Sequence, residues 1–183
     1  PITFQGSRTL RAYGALMGFI YSSRDATSAY LQSDIHKPGD PRTYVALPRQ
    51  FWPKEWAGMR RPVVLLVLSL YGHPAAGNRW DSKMYTSVQK CGFQKVPGWK
   101  SIYKQGKTAA GLGVYVDDFE LMASREDTPK IWKALEAEIE FGDEHHVWDE
   151  KPTRHLACNY SVTRKVVGKE TETTIKASMP AYF

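Results

Sequence analysis

Apolar residues recur at helical spacing in three segments of the chain, and each segment carries a signal for a helix end. The segments cover residues 8–18, 74–92 and 127–139, with Gly, Pro or a capping Asp-Thr pair at their boundaries. Their apolar stripes consist of Leu10, Tyr13 and Met17; Trp80, Met84, Val88 and Cys91; and Ile131, Leu135 and Ile139. This pattern predicts three amphipathic helices that pack against a core.

Shorter apolar runs predict strands between and after these helices. The runs cover residues 19–25, 44–47, 63–70, 101–104, 111–122, 156–163 and 173–177. The uninterrupted run Val63–Leu68 is typical of a buried strand, and residues 111–122 fit a β-hairpin. Helices and strands alternate irregularly and the hairpin connection is short. The pattern therefore favours an α+β fold with a mostly antiparallel sheet over a doubly wound one.

Composition indicates one globular domain that is neither secreted nor membrane-spanning. The 183 residues, 42% of them hydrophobic, can bury a core, and no apolar run approaches the ~20 residues of a membrane helix. Cys91 and Cys158 are too few for a disulfide framework or a zinc site. Residues 1–4 lack a signal segment and an initiator Met. We expect an intracellular piece of a longer polypeptide, in a cytoplasmic particle or the nucleus.

Charge is unevenly distributed along the chain. Residues 1–110 carry 16 Lys or Arg and 5 Asp or Glu, a net charge of +11, whereas residues 111–183 carry 9 and 14, a net charge of −5. A basic half attracts phosphate backbones. An ordinary solvated surface explains the asymmetry equally well unless a catalytic site lies where the two halves meet.

An adjacent pair of acids provides the most specific candidate chemistry. Asp117 and Asp118 follow the apolar strand Gly113–Val116 and precede Phe119. Two neighbouring carboxylates inside a strand would repel each other and lose hydration. At a hairpin tip they are exposed, and a divalent cation removes the repulsion. A site dominated by carboxylates suits Mg²⁺, which leaves positions for water and phosphate oxygens. The alternative interpretation is a plain polar turn.

A second acidic segment is needed for two metal ions, and Asp25 is the best candidate. Asp25 ends an apolar strand and is followed by the small residues 26–29, which let a triphosphate approach the backbone amides. Asp25 could instead cap the following turn.

Several segments together resemble one enzyme family. Tyr115–Asp118 resembles the signature of reverse transcriptases, and Asp25–Leu31 is similar to that family's first acidic segment. Leu70–Pro74 with the Arg-Trp pair at 79–80 is similar to the intervening segment of the Ty1/copia branch of LTR retrotransposons, and Leu156–Cys158 resembles that branch's next strand. The resemblance implies a right-hand polymerase palm with partial fingers, in which helices pack on one face of a mostly antiparallel sheet.

The resemblance also implies a function, a cofactor and partners. The chain would be a finger-and-palm fragment of a pol polyprotein and an RNA-directed DNA polymerase. Upstream fingers, a full thumb and RNase H would lie elsewhere. Asp25 and Asp117 would bridge two Mg²⁺ ions, for which Mn²⁺ could substitute, and Asp118 would support the primer-side ion. Its partners would be a template–primer duplex, dNTPs and the remaining polyprotein domains, with no membrane.

Nucleotide-binding residues are likewise implied by the resemblance. The backbone around Ser28 and Ala29 would hold the triphosphate, and Tyr30 would lie under the sugar and exclude a 2′-hydroxyl. Tyr71 and Gly72 would lie near the nucleotide and the template base. Tyr30 could equally be a half-buried packing residue on sequence grounds alone.

Two alternative functions stay open. The fold could persist as a catalytically decayed module that binds nucleic acid or serves as a scaffold, which primer extension would distinguish. Another palm-type metal enzyme, such as a nucleotide cyclase, would need neither residues 70–80 nor a basic groove. The cluster around His145 and His146 is interpreted as a solvated acidic loop rather than a metal site, and Trp80 and Cys158 as core residues.

Overall fold

The computed structural model describes residues 1–179, which form two compact units. The larger unit combines residues 1–28 with the chain from Met84 onward, and the smaller unit is the intervening segment Ala29–Lys83. The α-helices of the described chain are α1 (Phe4–Leu16), α2 (Ala76–Lys90) and α3 (Thr128–Glu136). Within residues 1–179, no helix is long and apolar enough to cross a bilayer.

A six-stranded antiparallel sheet is the centre of the larger unit. Its strands are β1 (Ile20–Asp25), β4 (Phe93–Lys95), β5 (Ile102–Gln105), β6 (Gly111–Tyr115), β7 (Asp118–Ala123) and β8 (His146–Val147). The intervening β2 (Tyr44–Val45) and β3 (Val64–Leu65) form a separate sheet in the smaller unit. The spatial order is β4-β5-β6-β7-β1-β8. Every neighbouring pair is antiparallel. The mixed helix and strand content and the antiparallel pairing agree with the prediction from sequence.

Helices cover both faces of this sheet. The Tyr21 hydroxyl donates to the backbone carbonyl of Arg11 in α1, whereas the adjacent Ser22 hydroxyl accepts from the indole N–H of Trp132 in α3. Since successive strand residues point to opposite faces, α1 and α3 lie on opposite sides. The expectation that helices pack on one face is therefore wrong. Residues 119–123 of β7 are all buried, on whichever face of the sheet their side chains lie. Both faces of the sheet must therefore be packed against other elements.

A second, three-stranded sheet belongs to the larger unit. It consists of β9 (Thr153–His155), β10 (Cys158–Val167) and β11 (Glu170–Ser178), in the order β11-β10-β9. The predicted strand at 156–163 begins two residues later, because Leu156 and Ala157 form a turn with positive φ angles of 47° and 63°. The short strands β4, β8 and β9 were not predicted from sequence.

The three predicted helices are confirmed. α1 starts earlier than expected, at Phe4, since the Thr3 side chain accepts a hydrogen bond from the Gly6 amide as a cap. The predicted stripes supply core residues, among them Leu10, Trp80, Met84, Val88, Ile131, Leu135 and Ile139.

The smaller unit contains a two-stranded sheet of β2 (Tyr44–Val45) and β3 (Val64–Leu65). The prediction of a buried strand at Val63–Leu68 is wrong, because Val63, Val67 and Leu68 are 51%, 59% and 42% exposed. The backbone of this run is paired, Val64 and Leu65 with β2 and Leu68 in an isolated bridge to Asp34. The exposed side chains show that no second layer covers the run.

Close packing of α1 on β6 requires glycine in the strand. A Cβ atom at Gly113 would lie 2.8 Å from Leu10 Cδ2 and 2.9 Å from Glu120 Cγ. Gly113→Ala is therefore expected to lower the free energy of unfolding by ~1–3 kcal/mol, measured by urea denaturation. Gly106 is the matched control, because its Cβ would meet no atom within 4 Å. Gly106→Ala should change stability by less than ~1 kcal/mol, and an equal loss in both variants would contradict the packing account.

Candidate metal centre

The acidic pair lies at the tip of the β6–β7 hairpin. Tyr115 pairs with Asp118 across the ladder, so Val116 and Asp117 form a two-residue turn. Val116 has a φ of 58°, which is rarely adopted by a β-branched residue because its Cβ clashes with the backbone. Strained backbone of this kind persists only where the surroundings enforce it, and it concentrates at functional sites.

The register of β1 against β7 brings the first acid to the second. Asp25 is the direct cross-strand partner of Asp118, so both side chains leave the same face of the sheet. The Ala26 amide donates to the Asp117 carbonyl at 2.7 Å, which ties the turn to the end of β1. Acids 93 positions apart in the chain are thus held side by side by backbone pairing.

Crowding of these acids changes their electrostatics. Burial, and then the negative charges of Asp25 and Asp117, raise the pKa of Asp118 to about 7. A nearby cation would stabilise the ionised form of this carboxyl, which the surroundings otherwise disfavour near neutral pH. The Asp117 charge contributes to the shift, so its carboxylate is close enough to interact with Asp118.

His155 reaches the same site from the second sheet. It pairs with Cys158 at the ends of β9 and β10, across the tight turn described above. Its side chain is only 2% exposed, and Nδ1 lies 3.8 Å from Asp118 Oδ1. Burial first, and then the positive charge of Arg11, lower the pKa of His155 to about 3. The imidazole is therefore neutral at physiological pH.

A buried ion pair lies behind the histidine. The Arg11 guanidinium donates to Glu120 Oε2 at 2.8 Å and also lies 4.1 Å from the centre of the Tyr160 ring. Glu120 Oε2 is 3.9 Å from His155 Nε2. Glu120 Oε1 and His155 Nε2 are both buried with no hydrogen-bond partner among residues 1–179. Sequence patterns did not predict this pair, because its two members stand 109 positions apart in different elements.

Three of these side chains can share one metal ion. Ligand atoms of Asp25, Asp118 and His155 all lie within 4.8 Å of one another. Trans ligands of an octahedral ion with bonds of ~2.1 Å are about 4.2 Å apart, so small rotamer adjustments would suffice. The predicted site residues Asp25 and Asp118 are thus brought together. Asp117 lies outside this cluster, in the turn, and His155 was not predicted from sequence.

The residues assigned to nucleotide binding occur in both units. Ser28, with a φ of 46°, is exposed at the end of the first segment of the larger unit. In the smaller unit, Ala29 is fully buried, and the Tyr30 and Tyr71 rings contact each other at a tilt of 37°, with centroids 4.5 Å apart. Gly72 has a φ of 89° and follows Tyr71 in a turn. Their roles toward a nucleotide stay predictions.

The remaining sequence candidates behave as core or surface residues. Trp80 and Cys158 are buried, as predicted. His146 lies in β8 and pairs with Ser23, and its Nε2 is 3.1 Å from the exposed Glu144. Among residues 1–179, His145 and His146 do not belong to any cluster that could hold a metal ion.

Comparison with known proteins finds similarity to retrotransposon polyproteins of Saccharomyces cerevisiae. The chain is 31% identical over 108 residues to the Transposon Ty1-DR4 Gag-Pol polyprotein. This match covers 58% of this chain and 6% of that protein. The Transposon TyH3 Gag-Pol polyprotein is also 31% identical over 108 residues, and the Transposon Ty1-BL polyprotein is 30% identical; each match covers 58% of this chain and 5% of the polyprotein. The chain thus spans only about a twentieth of these relatives. No family model and no solved structure matches it.

The raised pKa of Asp118 predicts a pH-dependent stability of the metal-free chain. The folded state keeps the Asp118 proton up to about pH 7, whereas the unfolded chain releases it near pH 4. Stability associated with the bound proton is therefore complete below about pH 4 and is lost as pH rises through about 7. Asp118→Asn should raise the free energy of unfolding by about 1 kcal/mol at pH 8 and change it little at pH 4. The value at pH 8 is smaller than the full pKa shift would give, because solvent screens the partly exposed carboxylate.

Urea denaturation in EDTA at the two pH values tests this prediction. The exposed Asp143 provides the control, since Asp143→Asn should change stability equally at both pH values. An Asp118→Asn effect that does not depend on pH would contradict the crowding of the three carboxylates.

Proposed function

We propose that this chain is the finger-and-palm part of an RNA-directed DNA polymerase that adds dNTPs to a primer 3′-hydroxyl. The observation that carries the proposal is the cross-strand pair of Asp25 and Asp118 beside the strained Val116–Asp117 turn. This arrangement brings together two acidic motifs that resemble those of reverse transcriptases. Similarity to Ty1 Gag-Pol polyproteins supports a retrotransposon polyprotein as the source.

The acidic residues fit a divalent-cation site. Burial, and then the negative charges of Asp25 and Asp117, raise the pKa of Asp118 to about 7. A cation would relieve the repulsion between these carboxylates. The proposed roles differ from those that the family resemblance implied, in which Asp25 and Asp117 bridge both ions. Because Asp25 and Asp118 are cross-strand partners, these two would hold one ion and Asp117 would contribute to the second from the turn. Bound Mg²⁺ ions supply a lowered pKa for the primer hydroxyl and charge neutralisation for the leaving pyrophosphate.

The protein's own contribution is positioning. The backbone ladder fixes the Asp25 and Asp118 carboxylates on one face of the sheet, so little reorganisation is needed when the triphosphate arrives. The Ala26–Asp117 hydrogen bond keeps the turn in register with β1. In phosphoryl transfer this alignment and charge neutralisation account for most of the catalysis.

The smaller unit suits contacts with nucleotide and nucleic acid. Residues 29–83 carry 8 Lys or Arg and 4 Asp or Glu, a positive balance that favours a phosphate backbone. The Tyr30 and Tyr71 rings contact each other, and Tyr71 is 54% exposed. Such a surface can support a sugar or a base. We propose Tyr30 as the sugar-contacting residue and Ser28 and Ala29 as the backbone that meets the triphosphate.

Primer extension tests the proposed function. With a primed RNA template, dNTPs and Mg²⁺, the wild-type chain should extend the primer. Asp25→Asn, Asp117→Asn and Asp118→Asn should each lower the rate by at least about 10³-fold, because loss of a metal carboxylate removes several kcal/mol of transition-state stabilisation. Asp143→Asn, which changes an exposed acid by the same chemistry, should retain the wild-type rate.

Two results would contradict this function. Full extension by an Asp25 or Asp118 variant would exclude the acidic cluster as the catalytic site. A wild-type chain that binds the template–primer and does not extend it would instead favour a non-catalytic nucleic-acid-binding module.

A further inference from the structure

We propose that His155 is a ligand of the metal centre and that the site therefore binds a first-row transition ion such as Mn²⁺ more tightly than Mg²⁺. The inference rests on the proposed metal centre and adds to it a nitrogen ligand. Three observations support it: the distance of the ring from the acids, its burial, and the group behind it.

The imidazole is placed as a ligand must be. Its Nδ1 is 3.8 Å from Asp118 Oδ1, and the ring shares the cluster of ligand atoms with Asp25. The side chain is only 2% exposed, so packing restricts the ring to this position beside the acids.

The opposite ring nitrogen faces a carboxylate. Histidine ligands commonly bind metal through one nitrogen and donate the other N–H to a carboxylate that fixes the ring. His155 Nε2 lies 3.9 Å from the Glu120 carboxylate, and Nε2 and Glu120 Oε1 both lack a partner among the described residues. The oxygen 3.9 Å away is Oε2, so a shift of about 1 Å would bring Nε2 within hydrogen-bond distance of it. Arg11 holds Glu120 in place through the same oxygen.

A nitrogen ligand changes which ion the site prefers. Mg²⁺ favours oxygen ligands and strict octahedral geometry, whereas affinity for transition ions rises when imidazole joins the ligand set. Asp25, Asp118 and His155 provide two carboxylates and one imidazole. This combination leaves coordination positions for water or phosphate oxygens while it favours Mn²⁺ over Mg²⁺.

The direct test is pulsed electron paramagnetic resonance of the wild-type chain with bound Mn²⁺. We expect the modulation of a directly coordinated ¹⁴N nucleus, replaced by the ¹⁵N pattern when the chain is produced with ¹⁵N-histidine. Mn²⁺ that binds without nitrogen coupling would overturn the inference and leave the carboxylate site intact. A chain that binds no Mn²⁺ would overturn both this inference and the metal centre of the proposed function.

Variants assign the signal to one histidine. His155→Phe should remove the nitrogen coupling and lower the Mn²⁺ over Mg²⁺ affinity ratio by roughly 10-fold or more, whereas His145→Phe, on the α3 side near Trp132, should change neither. Because His155 is buried, its variant could fail to fold. A chain with both His145→Gln and His146→Gln keeps His155 as the one histidine of the larger unit. It must retain the coupling, and its loss would overturn the assignment.

Discussion

Antiparallel pairing between β1 and β7 holds two carboxylates face to face, and the rest of the site depends on this constraint. The backbones of Asp25 and Asp118 could separate only if the register of the two strands shifted. A shift by one residue would turn every buried side chain of the strand to the opposite face. The fold therefore holds the backbones of the two acids side by side, so that their carboxylates repel each other. A cation converts that repulsion into binding energy, so the same contact that destabilises the metal-free chain favours the metal-bound one.

Tight turns bring the other groups to this pair. The β6–β7 turn adopts a positive φ at Val116, and the β9–β10 turn does so at Leu156 and Ala157. Each turn costs conformational energy that surrounding sheet pairing must offset. The result is that Asp117 and His155 approach the Asp25–Asp118 pair from two separate hairpins. A buried Arg11–Glu120 ion pair lies next to this site and provides a carboxylate behind the His155 ring.

Sequence patterns predicted the parts of this structure that depend on local periodicity. The three helices follow from apolar spacing, and the hairpin follows from acids that interrupt an apolar run, as with Asp117. The closeness of His155 could not be predicted, because β9 has three residues and follows a charged segment without periodicity. The exposure of Val63–Leu68 was missed since an apolar run alone does not reveal whether a second layer covers it. Placement of helices on both faces similarly depends on long-range packing.

The most direct measurement is a crystal structure of the chain soaked in Mn²⁺, with an anomalous difference map recorded at the manganese edge. We expect a peak within about 2.5 Å of a carboxylate oxygen of both Asp25 and Asp118, with the His155 ring as a further neighbour. A saturated crystal in which these two carboxylates hold no anomalous peak, or in which the ion binds elsewhere, would show that pairing of β1 with β7 does not form a cation site.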